Sequence, residues 1–118
     1  MMIVNVMVGF VALLHVYFLV LEMFLWDKPL GLRVFGNSRE SAKATKVLAM
    51  NQGLYNGFLA AGLIWGIFLG EGGYAVKIFF LGCVVIAGIF GGLTASRKIL
   101  FVQALPAAIG LLLVFWLG

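Results

Sequence analysis

Long apolar stretches alternate with short polar ones along this chain. The apolar stretches cover residues 2–26, 47–70, 76–95 and 99–117. Each has about 20 residues, which is enough for a helix to cross about 30 Å of hydrocarbon. The pattern therefore predicts an all-α protein, an integral membrane four-helix bundle that forms a single domain over residues 1–118.

The second segment begins with a polar run that reads Asn-Gln-Gly-Leu-Tyr-Asn-Gly over residues 51–57. On a helix of 3.6 residues per turn, Asn51, Gln52, Tyr55 and Asn56 fall within roughly 140° of one another. Unsatisfied polar groups cost several kcal/mol in hydrocarbon, so these side chains should face protein or a water-filled cavity. We therefore predict that this helix face is the wall of a pocket.

The first segment contains a histidine and a carboxylate within its apolar sequence. His15 and Glu22 lie two helical turns apart, on one side of the helix and about 10 Å apart along its axis. They belong to a seam of three- and four-residue steps, which is typical of a helix face packed against neighbours. An ionisable residue inside a span is a functional candidate, whereas a histidine can also serve packing alone. The seam comprises Asn5, Val8, Ala12, His15, Leu19, Glu22 and Trp26.

The fourth segment adds one more amide, Gln103, shortly before Pro106. Pro106 lacks the amide hydrogen that would bond the Val102 carbonyl, so we expect an irregular helix there. From the helical rise per residue, Glu22, Asn51 and Gln103 lie at a similar depth, about 6 Å from one membrane edge. We therefore predict a polar pocket between the first, second and fourth helices.

The distribution of charge predicts the orientation in the membrane. The chain has 8 Lys and Arg and 4 Asp and Glu, for a net charge of +4. Basic residues concentrate in the links after the first and third segments, which the positive-inside rule places in the cytoplasm. Both termini would then lie on the non-cytoplasmic side of a bacterial plasma (inner) membrane, and the pocket would open towards the cytoplasm. This bias accounts for the net charge without a nucleic-acid partner.

The first link, residues 27–46, is predicted to lie at the membrane interface. Pro29, Gly31 and Gly36 argue against a regular helix, so we expect a loop at the level of the lipid headgroups. The sequence of residues 37–40, Asn-Ser-Arg-Glu, fits a capping box with Asn37 as the N-cap. The second helix should therefore begin there, before it enters the membrane.

Composition leaves little room for a soluble domain or a metal centre. Hydrophobic residues make up 64% of the chain and charged residues 10%, against about 25% charged in soluble domains. Cys83 is the single cysteine and His15 the single histidine, and a metal site needs several such ligands. We therefore expect no metal and no cofactor. Gly62, Gly66 and Gly70 predict close helix packing, which is also compatible with a homo-oligomer.

The order of these features resembles a known family. The chain combines His15, Glu22 and Trp26, a link containing Phe35, and the run Asn-Gln-Gly-Leu-Tyr-Asn-Gly-Phe-Leu-Ala over residues 51–60. Over essentially its whole length it is similar to the small bacterial membrane proteins called domain of unknown function 1304. That resemblance implies four transmembrane helices and no established activity. A looser similarity to DoxX-like four-helix membrane proteins implies a redox-associated or quinone-related role.

The functional hypothesis is a binding site for a small amphipathic or lipophilic molecule, in a protein surrounded by membrane lipid. Three alternatives stay open: a proton-coupled transporter, an intramembrane proton-transfer enzyme with His15 and Glu22 as catalytic candidates, and a structural subunit. The predicted ligand-binding residues are His15, Glu22, Asn51, Gln52, Tyr55, Asn56 and Gln103.

Overall fold

The computed structural model describes residues 2–118, and within these residues the chain is helical and contains no strand. A 3₁₀ turn, Gly70–Gly73, connects the third and fourth helices, and a π-helical turn, Leu100–Ala104, connects the last two. The α-helices in chain order are α1 Met2–Met23, α2 Pro29–Phe35, α3 Arg39–Phe68, α4 Tyr74–Thr94, α5 Arg97–Ile99 and α6 Leu105–Leu117.

Three helical stretches within residues 2–118 are long and apolar enough to cross a membrane: Met2–Met23, Gly70–Thr94 and Arg97–Leu117. They confirm the all-helical architecture and indicate a membrane protein. Helix α3, which includes residues 47–68 of the predicted span 47–70, is not among them, because Asn51, Gln52 and Asn56 reduce its apolar character. The fourth span and the sides on which the termini lie therefore stay predictions.

The chain divides into two compact units whose boundaries fall within α1 and α3. We call the first the core unit; it comprises the chain up to Leu14 together with Leu59–Gly118. We call the second the link unit; it comprises His15–Phe58.

The core unit is held by apolar side chains from four helices. Other large apolar side chains of the core unit lie on its surface, since Phe68 is 83% exposed and Trp116 is 85% exposed. Such exposure suits a lipid environment, where packing rather than water exclusion brings helices together. The first part of the predicted α1 seam is buried, as expected. The buried cluster consists of Val4, Val8, Val11, Ala12, Leu63, Leu81, Val84, Ala107 and Val114.

A close backbone contact fixes the turn between α3 and α4 in the core unit. A Cβ atom placed on Gly73 would lie 1.9 Å from the carbonyl oxygen of Gly66. No side chain fits at that distance, so the turn requires glycine at position 73. Its neighbour Gly72 is different, since a Cβ atom there would meet nothing within 4 Å.

The helix irregularity expected at Pro106 takes the form of a π-helical turn. The Leu105 N–H donates to the carbonyl oxygen of Leu100, five residues back. Such a turn is a recognised way for a chain to adjust its hydrogen-bonding register. It places Pro106 within the first turn of α6, where a missing amide hydrogen costs no intrahelical bond.

The link unit contradicts the prediction of a loop after the first segment. Residues Pro29–Phe35 form α2. Pro29 occupies the first helical position, where its fixed φ is favourable, and Gly36 ends the helix with a φ of 67°. A Cβ atom on Gly31 would lie 1.9 Å from the Leu25 carbonyl oxygen, so the glycine lets α2 pack against the chain that precedes it. The residues that argued against a helix are thus those that start, seat and end a short one.

The start of α3 is confirmed to within a residue or so, but its cap differs from the predicted one. The backbone N–H of Ser41 donates to Oγ of Ser38 at 3.1 Å. The N-cap is therefore Ser38 and not Asn37, and a serine hydroxyl replaces the predicted amide in the same role.

The close contact between Gly66 and Gly73 predicts how substitutions in this turn change the stability of the protein. Gly73→Ala should lower the free energy of unfolding in detergent by about 1–3 kcal/mol, because the added methyl group must displace backbone. Gly72→Ala is the matched control and should leave stability nearly unchanged. Thermal unfolding followed by circular dichroism measures both variants, and equal melting temperatures for the two would contradict the close approach.

Candidate functional site

A carboxylate and an amide from the predicted set meet within the link unit. The Asn56 side chain, which is 5% exposed, donates from Nδ2 to Oε1 of Glu22. Glu22 lies in the last two turns of α1 and is half-buried, whereas Asn56 lies on α3. The two residues are 34 positions apart in sequence, so the bond ties the end of α1 to the middle of α3.

A glycine on α3 makes this meeting possible. A Cβ atom on Gly53 would lie 2.5 Å from Cγ of Met23 and 3.2 Å from Cβ of Glu22. Without that atom, the α3 backbone lies directly against the last turns of α1. Asn56 follows one helical turn later on a neighbouring part of the same face, within reach of the Glu22 carboxyl.

The other polar residues of the same run do not share this contact. Asn51, Gln52 and Tyr55 are exposed. The Asn51 amide donates to the Val47 carbonyl oxygen of its own helix at 3.0 Å, and the Tyr55 ring lies 6.0 Å from that of Phe58. The polar face expected from the helical wheel is therefore divided, with Asn56 turned inward and the other three outward.

His15 and Gln103 occupy different surroundings. His15 is fully buried, and its ring meets Phe18 edge-to-face with centroids 5.4 Å apart. Gln103 is half-buried in the π-helical turn and belongs to the core unit. Glu22 and Asn56 are thus the two predicted residues that a hydrogen bond joins across helices within the link unit.

The link unit contains a second group of polar contacts in addition to the Glu22–Asn56 hydrogen bond. Nε1 of Trp26 donates to Oγ1 of Thr45 at 3.1 Å, and the Trp26 ring packs on Phe35 with centroids 4.7 Å apart. Lys46 forms a salt bridge with Asp27 at 3.1 Å. The hydrogen bond from Lys46 lowers the pKa of the Asp27 carboxyl below its usual value. These contacts hold the start of α3 beside the end of α1.

One polar contact was missed by the sequence analysis. In the core unit, Nζ of Lys77 donates to Oδ1 of Asn5 at 2.8 Å. The sequence pattern placed Asn5 only in the α1 seam and did not pair it with a basic residue. The signal that could have joined them is an amide on a packed face at the same membrane level as a lysine in the first turn of the third span.

The Glu22–Asn56 pair can offer both hydrogen-bond acceptors and donors to a ligand. A carboxylate has two oxygens and about four acceptor positions, and the bond from Asn56 fills one of them. Within the part of the chain that the structure describes, no three His, Cys, Asp or Glu side chains lie close enough to hold a metal ion. The carboxyl and the amide of the pair are suited to hydrogen bonding, and the carboxyl also to proton exchange.

Comparison with known proteins gives the family. The family described as protein of unknown function (DUF1304) matches residues 9–115, which include α1 from Gly9 onward, all of α3 and nearly all of α6. The chain belongs to the DUF1304 family. The match includes both Glu22 and Asn56, so the candidate site lies within the residues that the family model covers.

A relative supports the same assignment. The uncharacterized protein YpaA of Lactococcus lactis subsp. lactis (strain IL1403) is 32% identical over 108 residues, which cover 90% of this chain and 91% of YpaA. No solved structure matches the chain significantly. The comparisons support the DUF1304 assignment and give no support to the looser similarity to DoxX-like proteins.

The hydrogen bond between Glu22 and Asn56 should be measurable as a coupling free energy between the two residues. In a double-mutant cycle of Glu22→Leu and Asn56→Leu, unfolding in detergent should give a coupling of about 0.6–1.7 kcal/mol, the range for hydrogen bonds between membrane helices. Tyr55→Leu is the matched control on the same helix. Its effect should add to that of Glu22→Leu without coupling, because Tyr55 is 56% exposed. Additivity in both cycles would show that the bond contributes nothing.

Proposed function

We propose that this protein binds a small amphipathic molecule at Glu22 and Asn56, with a polar group of the ligand hydrogen-bonded to the Glu22 carboxyl. The observation that carries the proposal is the buried Asn56 amide of α3, which donates a hydrogen bond to the Glu22 carboxyl of α1. Polar pairs are costly in a membrane, and ionisable residues there usually mark binding or proton-transfer sites. A pair used only for packing could be replaced by apolar side chains at little cost.

The surroundings of the pair define the class of ligand. Glu22 keeps acceptor positions beyond the one that Asn56 fills, so it favours a ligand with a hydroxyl, amine or amide donor. Exposed apolar side chains of the same unit, among them Leu54 and Phe58, suit the apolar part of such a molecule. Gln52 and Tyr55 are exposed nearby on the same helix and could supply secondary polar contacts.

The proposal includes a location and an orientation. Four spans in the bacterial inner membrane, with the link at residues 27–46 on the cytoplasmic side, would let the ligand enter from the cytoplasm. The support comes from the basic side chains of this unit and of the Ser96–Lys98 region, which favour the cytoplasmic side. In this arrangement α3 crosses the membrane although its amides make it the least apolar of the four.

Small molecules that remain bound after purification test the binding proposal. Molecules extracted from protein purified in mild detergent are identified by mass spectrometry for the wild type, Glu22→Gln and Asn56→Leu. We expect a lipophilic molecule at near-stoichiometric amount in the wild type and a reduction of about tenfold in Asn56→Leu, which corresponds to the loss of one hydrogen bond to a charged or polarised group. Glu22→Gln preserves shape and should retain part of the ligand.

Tyr17→Phe is the matched control for these variants. Tyr17 is an exposed α1 residue outside the proposed site, so its substitution should leave the ligand in place. Identical extracts from the wild type, Asn56→Leu and Tyr17→Phe would contradict the proposal and favour a structural role for the pair.

Cysteine labelling tests the orientation. In a Cys83→Ala background, cysteines introduced at Gly72 and Ser41 are exposed and displace no packed atom. An impermeant maleimide added to intact cells should label Gly72→Cys, whereas Ser41→Cys should react only after the membrane is permeabilised. Labelling of both sites from outside would contradict the four-span arrangement.

A further inference from the structure

The core unit contains a polar cavity that the proposed ligand site does not use. The cavity has a volume of about 210 Å³. It lies where the Gly70–Gly73 turn and the first turn of α4 meet the start of α1 and the end of α6. This volume is smaller than the roughly 300–1,000 Å³ of a pocket for a drug-sized ligand. It suits a compact polar group instead. The lining residues are Val4, Asn5, Gly70, Glu71, Tyr74, Lys77, Val114 and Gly118.

The main charged group of this cavity is a buried ammonium. Lys77 is only 7% exposed, and its Nζ donates to Oδ1 of Asn5 at 2.8 Å. An ammonium has three donor hydrogens. Among residues 2–118 the structure shows no carboxylate within salt-bridge distance of Lys77. A buried charge without a counter-ion is costly, so an anionic group from outside the chain would be stabilised here.

The position of Lys77 in the helix adds to this effect. Lys77 lies in the first turn of α4, a helix of 21 residues. The positive end of a helix dipole lies at its N-terminus and attracts anions. The ammonium and the helix end therefore favour the same kind of group.

A group of opposite charge lines the same cavity. Glu71 is exposed and lies in the 3₁₀ turn, outside salt-bridge distance of Lys77. The phenol of Tyr74 lies between them in sequence and can donate or accept a hydrogen bond. A ligand that places an anionic oxygen at Lys77 and an ammonium at Glu71 would satisfy both ends of the cavity.

We propose that this cavity binds a compact zwitterion, with its phosphate or carboxylate on Lys77 and Asn5 and its ammonium on Glu71. Such a group is presented by the phosphoethanolamine headgroup of a membrane lipid and by free phosphoethanolamine. The site is separate from Glu22 and Asn56, and the inference does not depend on the proposed function.

Native mass spectrometry of the full-length protein in detergent measures lipid retention at this site. Phosphatidylethanolamine, phosphatidylglycerol and phosphatidylcholine are added at equal concentration. The wild type should retain phosphatidylethanolamine best, because phosphatidylglycerol lacks the ammonium and the methyl groups of choline remove its hydrogen-bond donors. Lys77→Met should reduce retention about tenfold or more, since a charge-assisted hydrogen bond is lost. Lys98→Met, at an exposed lysine outside the cavity, should retain the wild-type pattern.

Glu71→Gln keeps the test valid if Lys77→Met does not fold. Glu71 is exposed and belongs to no buried cluster, so the variant should fold normally. It should lose the preference for phosphatidylethanolamine over phosphatidylglycerol while still binding both. Unchanged selectivity in folded Glu71→Gln would overturn the zwitterion assignment, as would equal retention of all three lipids by the wild type.

Competition with free phosphoethanolamine separates the two sources of the ligand. Displacement of the bound lipid by millimolar phosphoethanolamine would show that the headgroup alone is recognised, and that a soluble zwitterion can occupy the site. Retention of the lipid under these conditions, together with its loss in Lys77→Met, would show that the acyl chains contribute and that the ligand is a lipid. Displacement by inorganic phosphate to the same extent would overturn the proposal, because phosphate has no ammonium for Glu71.

Discussion

The cost of a polar group in hydrocarbon organises this protein. Within a membrane, a carboxyl or an amide must find a partner inside the chain, in a cavity or in a ligand. Glu22 and Asn56 meet one another, and Lys77 meets Asn5. Each pair joins two helices that are distant in sequence. The apolar side chains fill the space between helices, but these few polar contacts specify which helix faces lie together.

Much of the architecture could be predicted from the sequence because apolar length and helical period are local properties. The helices, the buried face of α1 and the approximate start of α3 follow from those patterns. The short helix α2 was harder to predict. Pro29, Gly31 and Gly36 argue against a helix when their propensities are considered one by one, yet each suits a specific position in α2. The position of each of these residues within α2, rather than its residue type, determines whether it favours the helix.

The candidate site could be predicted only in part, because a helical wheel orders residues by angle and does not show which neighbour they meet. It grouped Asn56 with Asn51, Gln52 and Tyr55, whereas the structure separates them according to the contact with Glu22. The wheel also does not show the effect of Gly53, which lets the backbone of α3 lie directly against the end of α1 beside that carboxyl. The pairing of Lys77 with Asn5 depended on the same kind of tertiary information.

The polar run in the middle of α3, residues 51–57, has a consequence for how the protein is made. A segment with three amides partitions weakly into a bilayer by itself. Helix α1 precedes it during synthesis, so the Glu22 carboxyl is already present when Asn56 leaves the ribosome. If α3 crosses the membrane, as the four-span arrangement proposes, satisfying the Asn56 amide with Glu22 during insertion would lower the cost of transferring it. Helices α1 and α3 would then enter the membrane as a pair, and the order of the helices in the chain would also be an order of assembly.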